Sequence, residues 1–239
     1  MITGGTGGIG SAIAKNVVNC GGKVILCARD DKKIEQITDN LGNNVKGFKM
    51  DLNDTMNIEK NILDAAKIFP ENRIDILVNS AGIHGKLDFF NETVEEFQKV
   101  MNINVQATYF VSQAVAKQMI NNNIKGHIIN LSSSSGLRPA STPYQLSKWA
   151  INGLTKGLAD TLLPFGIVVN GIAPGPTATS MVKDINDPNL YYENQPSHRY
   201  ATPEEIANLV IFMISDMGNM IVGDTFYMTG GSGTISYHK

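Results

Sequence analysis

Short apolar runs rich in β-branched residues alternate along this chain with longer stretches in which apolar residues recur every three or four positions. The first pattern is typical of buried strands and the second of amphipathic helices. Strands are predicted over residues 23–27, 45–50, 74–79, 127–131, 167–172 and 225–228, and helices over residues 11–19, 54–68, 94–119, 144–163 and 203–216. This alternation predicts an α/β fold of the doubly wound, Rossmann type, with helices on both faces of a mostly parallel sheet.

Composition is that of an ordinary globular protein. The 239 residues are 42% hydrophobic and 18% charged, and no linker, charge block or long repeat divides them, so we expect a single domain over residues 1–239. The net charge of −2 and the scattered basic residues argue against nucleic-acid or anionic-membrane partners. The longest apolar run, residues 209–214, is too short to cross a bilayer, and the chain opens into glycines instead of a leader. The expected location is the cytoplasm.

The two cysteines, Cys20 and Cys27, form no C-x-x-C pair and have no histidine near them at metal spacing. We therefore expect reduced, buried thiols, with neither a disulfide nor a metal site.

The best-defined helix begins near Thr142 and Pro143, a capping hydroxyl followed by a proline at the first helical position. Pro164 and Gly166 are expected to end it and turn the chain into the next strand. The apolar stripe expected to pack inward consists of Leu146, Ala150, Leu154, Leu158 and Leu162.

A glycine-rich loop over residues 3–10 stands between a short apolar start and a predicted helix, the context that a dinucleotide-binding turn requires. Glycines allow a tight turn and close approach of the backbone to a pyrophosphate, and the helix N-terminus favours negative charge. A flexible glycine-rich tail is the alternative. The cofactor-binding candidates in this loop are Gly4, Thr6, Gly7, Gly8, Ile9 and Gly10.

The charge at the end of the second strand bears on the choice of cofactor. In this fold an acidic residue about twenty positions after the loop suits a free ribose 2′-hydroxyl, and arginine suits a 2′-phosphate. Here Ala28 stands at the acidic position and Arg29 follows, which favours NADP(H). The alternative is a solvated Arg29 paired with Asp30, and Asp30 could also weaken the discrimination.

Several further motifs follow in order. Asp51-Leu52 ends a predicted strand, Asn79-Ser80-Ala81-Gly82 forms a turn, and Asn104 lies in the long central helix. Ser133 follows a strand, and Tyr144 and Lys148 form a YxxxK pair. Pro174-Gly175 precedes Thr177 and Thr179. Together with a closing Gly230-Gly231 segment and the TGxxxGxG loop, they resemble the short-chain dehydrogenase/reductase family over nearly the full chain. The loop alone also fits the longer, sugar-nucleotide-modifying branch. Chain length and the Pro174-Gly175 loop favour the shorter branch, which has no added substrate domain.

The resemblance implies a seven-stranded sheet and a role for each motif. Cofactor-binding residues would include Asp51 and Leu52 at the adenine, Asn79, Ala81 and Gly82 in the turn, and Pro174, Gly175, Thr177 and Thr179 at the carboxamide. Tyr144 and Lys148 would also contact the cofactor, with Lys148 on the nicotinamide ribose. Ser133 would donate to the substrate oxygen, and Asn104, with Asn102 as the alternative, would support a water chain to Lys148. The resemblance also implies a tetramer built through the helices of Asn104 and Tyr144.

The chain departs from the family pattern at three places. Only Met1 and Ile2 precede Thr3, so the central first strand is short. Backbone groups of its neighbouring strands would then stay unpaired in the interior, at a cost of about 1–3 kcal/mol each, and we therefore expect the natural start to lie upstream. Ser80 replaces an asparagine in a turn that depends chiefly on its alanine and glycine. The segment from residue 133 to 144 is shorter than in the family, which leaves Ser132, Ser134 and Ser135 as alternatives to Ser133.

Hydride transfer to a carbonyl carbon leaves negative charge on oxygen, so the site needs an acid and hydrogen-bond donors. Tyr144 supplies the proton in this interpretation, and Lys148, one helical turn away, favours its phenolate. The expected function is NADP-dependent redox chemistry on a small carbonyl or secondary alcohol, with 3-oxoacyl carrier-protein, sugar, polyol and steroid-like substrates undecided. A nonenzymatic NADP-binding sensor or regulatory protein is the alternative, and an epimerase or dehydratase is disfavoured by chain length.

Two further features concern the substrate side. His84, just beyond the turn, is interpreted as a loop residue at the substrate entrance without an obligatory chemical role, although a general base is conceivable there. Residues 182–200 are interpreted as a lid over the substrate. Tyr191 and Tyr192 in this segment belong to the lid, to packing on the sheet or to a subunit contact, alternatives that the sequence does not separate.

Overall fold

A computed structural model of the protein describes residues 1–183 and 187–235. Seven strands in this part form one parallel sheet in the order β3-β2-β1-β4-β5-β6-β7. The strands are β1 Ile2–Thr3, β2 Val24–Ala28, β3 Val45–Lys49, β4 Ile76–Asn79, β5 His127–Leu131, β6 Val168–Pro174 and β7 Thr225–Met228. The helices are α1 Gly8–Asn19, α2 Asp31–Leu41, α3 Ile58–Ala66, α4 Val94–Met101, α5 Ala107–Asn121, α6 Pro143–Leu162 and α7 Pro203–Met213. The predicted Rossmann-type fold with seven strands is confirmed.

Alternating side chains of the strands build a separate core on each face of the sheet. In β2, Ile25 and Cys27 join the core beneath α3, α5 and α6, whereas Val24 and Leu26 join the core beneath α1, α2 and α7. Because both faces are covered, the strands read as continuous apolar runs, which is why the sequence revealed them.

β1 is short but central, since Ile2 and Thr3 pair with both β2 and β4. Met1 continues the ladder: its carbonyl accepts from the Val78 N–H over 2.9 Å, and its amino group donates to the Ile76 carbonyl over 2.7 Å. The direction of strand order reverses between β1 and β4. In open parallel sheets such a reversal leaves a crevice at the carboxyl ends of the strands, where ligands bind.

Helix α6 has the predicted ends but a different buried face. Thr142 caps it in a reciprocal arrangement with Gln145, Pro143 occupies its first turn, and Gly166 takes a left-handed conformation after it. The predicted inward stripe holds only at Leu158, which packs partly buried against the core, and at the buried Leu162; Leu146 is 43% exposed, and Ala150 and Leu154 are only partly buried. The fully packed face carries mostly small or polar residues, namely Ser147, Lys148, Ile151, Thr155 and Ala159.

Helix α2 was missed by the sequence analysis. It starts at an Asp30 cap and presents a single buried residue, Ile34, so its apolar signal is weak. The predicted helix over residues 94–119 is one continuous rod in which a π-helical stretch, Asn102–Gln106, joins α4 to α5. Such stretches are frequent at functional sites, and this one contains Asn104.

The two cysteines are free, as expected, but only Cys27 is buried, and burial raises the pKa of its thiol to about 12. Cys20 is exposed, so its predicted burial is wrong. It stands at the end of α1, where the helix leaves the core. In the described part of the chain, no helix has the length and apolar character needed to cross a membrane.

Candidate active site

A cavity of about 510 Å³ opens at the carboxyl ends of the strands, beside the strand-order reversal. Most of the predicted cofactor and catalytic residues line it. They are Gly4, Thr6, Gly7, Gly8, Ile9, Gly10, Arg29, Leu52, Ala81, Gly82, Ser133, Tyr144, Lys148, Pro174, Gly175, Thr177 and Thr179. Residues more than 170 positions apart in sequence thus share one site.

Close packing at the glycine loop explains two of its glycines. Gly4 has a φ of +62°, and a Cβ there would lie 2.7 Å from Cα of Ala81, so the loop and the turn after β4 touch through backbone alone. A Cβ at Gly8 would lie 2.8 Å from Cγ2 of Thr179, which comes from the loop after β6. Three loops therefore close around the N-terminus of α1.

Arg29 and Asp30 are not an ion pair among the described residues. The Asp30 carboxylate accepts from the backbone N–H groups of Lys32 and Lys33 over 3.1 and 3.2 Å and so caps α2. Arg29 is exposed and lines the cavity with its charge available.

Two predicted cofactor residues do not line the cavity. The Asp51 carboxylate turns back on its own loop and accepts from the backbone N–H and the side-chain amide of Asn53, each over 3.0 Å. Asn79 is buried, and its amide nitrogen donates to Ser112 and to Asn130 over 2.9 Å. Both side chains therefore hold the scaffold around the cavity.

Tyr144 and Lys148 lie together at the cavity wall because α6 brings them one turn apart. Lys148 is buried, its Nζ donates to the Leu131 carbonyl over 2.9 Å, and it lies 5.5 Å from the centre of the Tyr144 ring. Burial lowers the pKa of Lys148 to about 8. Burial also raises the pKa of Tyr144, while a hydrogen bond with Ser133 acts in the opposite direction.

Of the four neighbouring serines, Ser133 has the geometry expected of the donor. It follows β5, lines the cavity and shares a hydrogen bond with Tyr144. Ser132 also borders the cavity, but its hydroxyl donates to the Lys148 carbonyl over 3.1 Å. Ser134 and Ser135 line the cavity too, within the short 3-10 helix that Ser133 caps.

Asn104 lies behind the cavity wall rather than on it. Its Oδ1 accepts from the Ile83 N–H over 2.8 Å, and its Nδ2 donates to the Ile83 carbonyl and to Ser147 Oγ, each over 3.0 Å. The neighbouring Asn102 is exposed. The structure thus selects Asn104 as the asparagine that contacts the site.

Comparisons with known proteins agree with this geometry. The family described as enoyl-(acyl carrier protein) reductase matches residues 4–233. A 3alpha-hydroxysteroid dehydrogenase of Mediterraneibacter gnavus is 35% identical, and the 3-oxoacyl-(acyl-carrier-protein) reductase FabG of Aquifex aeolicus is 31% identical; each match covers 97% of this chain and 95% of the relative. The chain belongs to the short-chain dehydrogenase/reductase family.

Solved structures of the same family share the fold closely. One described as a short chain dehydrogenase/reductase family protein has a TM-score of 0.85 at 32% identity and covers 98% of this chain and 97% of its own. A variant of actinorhodin polyketide ketoreductase, solved with NADPH, has a TM-score of 0.88 at 26% identity with the same coverage. As a member of this family, the protein is an oxidoreductase.

The substrate side of this short-chain dehydrogenase/reductase is built by segments that carry weak sequence signals. Arg138 and Ser232 line the cavity and are hydrogen-bonded to each other, and neither was singled out from the sequence. Tyr192 also lines it and stacks on Tyr200 with ring centres 4.6 Å apart, whereas Tyr191 is 60% exposed. Residues 184–186 of the predicted lid lie outside the described residues.

His84 contacts Tyr144 directly. Its ring stacks on that of Tyr144 with centres 3.7 Å apart and planes 23° apart, and it lines the same cavity. Burial and the Lys148 charge lower its pKa. Within the described residues, no group of histidine, cysteine and carboxylate side chains could hold a metal ion.

Proposed function

We propose that this protein is an NADP-dependent oxidoreductase that interconverts a carbonyl and a secondary alcohol, with Tyr144 as the general acid and base. The observation that carries the proposal is that Ser133, Tyr144 and Lys148 line one cavity with the glycine loop and Arg29. A binding protein without catalysis has no need of a buried lysine beside a buried phenol.

The residues present fit a nicotinamide dinucleotide. Gly7 caps α1 without a side-chain hydrogen bond, so the first backbone N–H groups of the helix are left for a pyrophosphate. Thr177 and Thr179 line the cavity from the loop after β6 and would hold the carboxamide. When bound, the cofactor supplies the hydride, and Lys148 would hold the nicotinamide ribose.

Tyr144 is suited to donate a proton because burial raises its pKa and keeps the phenol protonated at neutral pH. After donation, the positive charge of Lys148 stabilises the phenolate, and the Ser133 hydroxyl donates a hydrogen bond to the substrate oxygen. Asn104 contributes indirectly by fixing Ile83 and Ser147, and a water chain to Lys148 remains its proposed further role.

Preference for NADP over NAD follows from Arg29. Its guanidinium lies at the cavity rim, where it can form a charge-assisted pair with a 2′-phosphate. Both carboxylates that follow β2 are engaged elsewhere and are poorly placed for a ribose hydroxyl, since Asp30 caps α2 and Asp31 pairs with Lys49.

The substrate is a small carbonyl or alcohol compound, with residues 182–200 proposed as its lid. The names of the relatives favour 3-oxoacyl thioester and hydroxysteroid chemistry over sugars or polyols. We also propose a cytoplasmic homotetramer. Exposed apolar side chains on the outer faces of α4, α5 and α6 fit a subunit contact, and they include Phe97, Tyr109, Phe110, Leu146 and Trp149.

The test is cofactor oxidation by wild-type enzyme and by Tyr144→Phe with a panel of 3-oxoacyl thioesters, oxosteroids and sugar carbonyls. Wild type should oxidise NADPH with at least one carbonyl, and Tyr144→Phe should bind NADPH normally yet lose turnover by roughly 10²–10⁴-fold. Tyr227→Phe, at an exposed tyrosine of β7 that does not line the cavity, is the matched control and should keep full activity. Retention of most activity in Tyr144→Phe contradicts the mechanism.

A further inference from the structure

The imidazole of His84 is fixed beside Tyr144 but has no assigned role in the proposed chemistry. Near-parallel stacking with ring centres 3.7 Å apart holds the imidazole against the face of the phenol, so both rings border the same part of the cavity. His84 is reached from the cavity, and in the described part of the chain neither ring nitrogen has a hydrogen-bond partner in the protein. A polar edge is therefore left for a ligand.

The protonation state of His84 limits what that edge can do. Burial and the nearby Lys148 charge lower its pKa, so the ring is neutral near pH 7, with one nitrogen as donor and the other as acceptor. A histidine that acts as a general base is usually oriented by a carboxylate or carbonyl, and among the described residues none is hydrogen-bonded to this ring. Tyr144 and Lys148 already provide the proton transfer. These facts favour binding over catalysis.

We infer that His84 binds a second polar group of the substrate, on a carbon adjacent or next but one to the reacting carbonyl. The inference rests on the proposed function. Because the ring centres are only 3.7 Å apart and both residues line one cavity, an oxygen bound by the Tyr144 hydroxyl and an oxygen bound by an imidazole nitrogen lie only a few bonds apart. The substrate class is a bifunctional carbonyl compound, such as a 1,3-dicarbonyl or a hydroxyketone, rather than an isolated ketone.

A pair of matched substrates tests this inference. One is ethyl acetoacetate, and the other is the simple ketone in which an alkyl chain of the same length replaces the ester group. Wild-type enzyme with NADPH should prefer the ester in kcat/KM, because its ketone is more electrophilic and because His84 binds the ester oxygen. In His84→Phe, which keeps an aromatic ring on Tyr144 but has no ring nitrogens, the preference should fall by roughly tenfold, the size of one neutral hydrogen bond.

Two further variants separate hydrogen bonding from packing. His84→Gln restores a donor and an acceptor without the ring and should recover most of the ratio, whereas Lys86→Ala, on the same loop but off the cavity, should keep the wild-type ratio. NADPH affinity, measured for each variant, reports whether the fold is intact.

The outcomes are distinct. A ratio that survives in His84→Phe, equal ratios in His84→Gln and His84→Phe, or a wild-type enzyme that reduces only isolated ketones overturns the role of His84. Lack of NADPH oxidation with every carbonyl overturns the proposed function instead.

Discussion

The side-chain amide of Asn104 and the main chain of Ile83 exchange two hydrogen bonds, of 2.8 and 3.0 Å. Ile83 directly follows the turn that contacts Gly4 of the glycine loop, through Ala81. The same amide donates to Ser147, whose hydroxyl donates to the Tyr144 carbonyl over 2.7 Å. Asn104 therefore links the turn after β4 to helix α6, and it does so from the π-helical stretch of the long helix.

Asn104→Ala should weaken both stability and catalysis. Loss of the amide leaves Ile83 backbone groups without partners, at a cost of about 1–3 kcal/mol in the free energy of unfolding, and lets the turn shift relative to Tyr144. Urea denaturation and kcat/KM measure the two effects. Asn102→Ala, at the exposed neighbour, should change neither; equal losses in both variants contradict the linking role.

Lys148→Met should stabilise the protein at neutral pH while abolishing turnover. The pKa of Lys148 falls from 10.5 to about 8 on folding, so below pH 8 the folded state carries a buried charge that costs it stability. Between pH 8 and 10.5 the unfolded state holds the extra proton, and wild-type stability rises relative to the variant. The expected gain at pH 7 is about 1–3 kcal/mol, shrinking as pH rises through this window.

Chemical denaturation of wild type and Lys148→Met at a series of pH values checks this trend. Lys156→Met is the control, because Lys156 is exposed on the same helix and its loss removes no buried charge. A difference between wild type and Lys148→Met that stays constant from pH 7 to 10.5 contradicts the burial argument.

The sheet was readable from sequence because its strands are buried on both faces. Residues 127–131 and 225–228 were predicted with their observed bounds. The buried faces of the helices were harder to predict, because they depend on how each helix packs on the sheet. In α6 only Leu162 of the leucines is buried, because close contact with the sheet uses Thr155 and Ala159, and Thr155 accepts a hydrogen bond from Asn130. Helix α2 carries a helical period in Ile34, Ile37 and Leu41, but its other residues are polar and only Ile34 is fully buried, so the segment was passed over.

The site followed a similar rule. Residues that act through backbone or local spacing, such as the glycine loop and the Tyr144–Lys148 pair, could be found from sequence. The hydrogen-bond partners of Asp51 and Asn79 could not be found in this way, because these side chains bind Asn53 in one case and Ser112 and Asn130 in the other. Ser147 was missed although its position between Tyr144 and Lys148 offered a signal.

Gly4→Ala should destabilise the fold and weaken cofactor binding. At a φ of +62° an alanine is strained, and its Cβ would collide with the Ala81 backbone at 2.7 Å, which neither loop can relieve by a rotamer change. The expected loss is about 1–3 kcal/mol in the free energy of unfolding. Gly153→Ala in α6 is a sharp contrast: its Cβ meets nothing within 4 Å, and helix propensity should stabilise the protein by about 0.5–1 kcal/mol. Thermal denaturation of both variants checks the opposite signs.

Arg29→Ala should lower kcat/KM for NADPH by roughly 10–100-fold and leave that for NADH nearly unchanged, because a charge-assisted pair with the 2′-phosphate is worth about 1.5–3 kcal/mol. The specificity ratio is the informative measurement, since a general disturbance of the cavity lowers both values. Lys33→Ala removes an exposed cation of α2 that does not line the cavity, and it should keep the wild-type ratio.

Increasing salt should weaken NADPH binding more in wild type than in Arg29→Ala, because screening acts on a charge that only wild type carries. A wild-type enzyme that prefers NADH, or an Arg29→Ala ratio equal to that of wild type, contradicts the assignment of Arg29 to the 2′-phosphate and leaves the proton transfer by Tyr144 untouched.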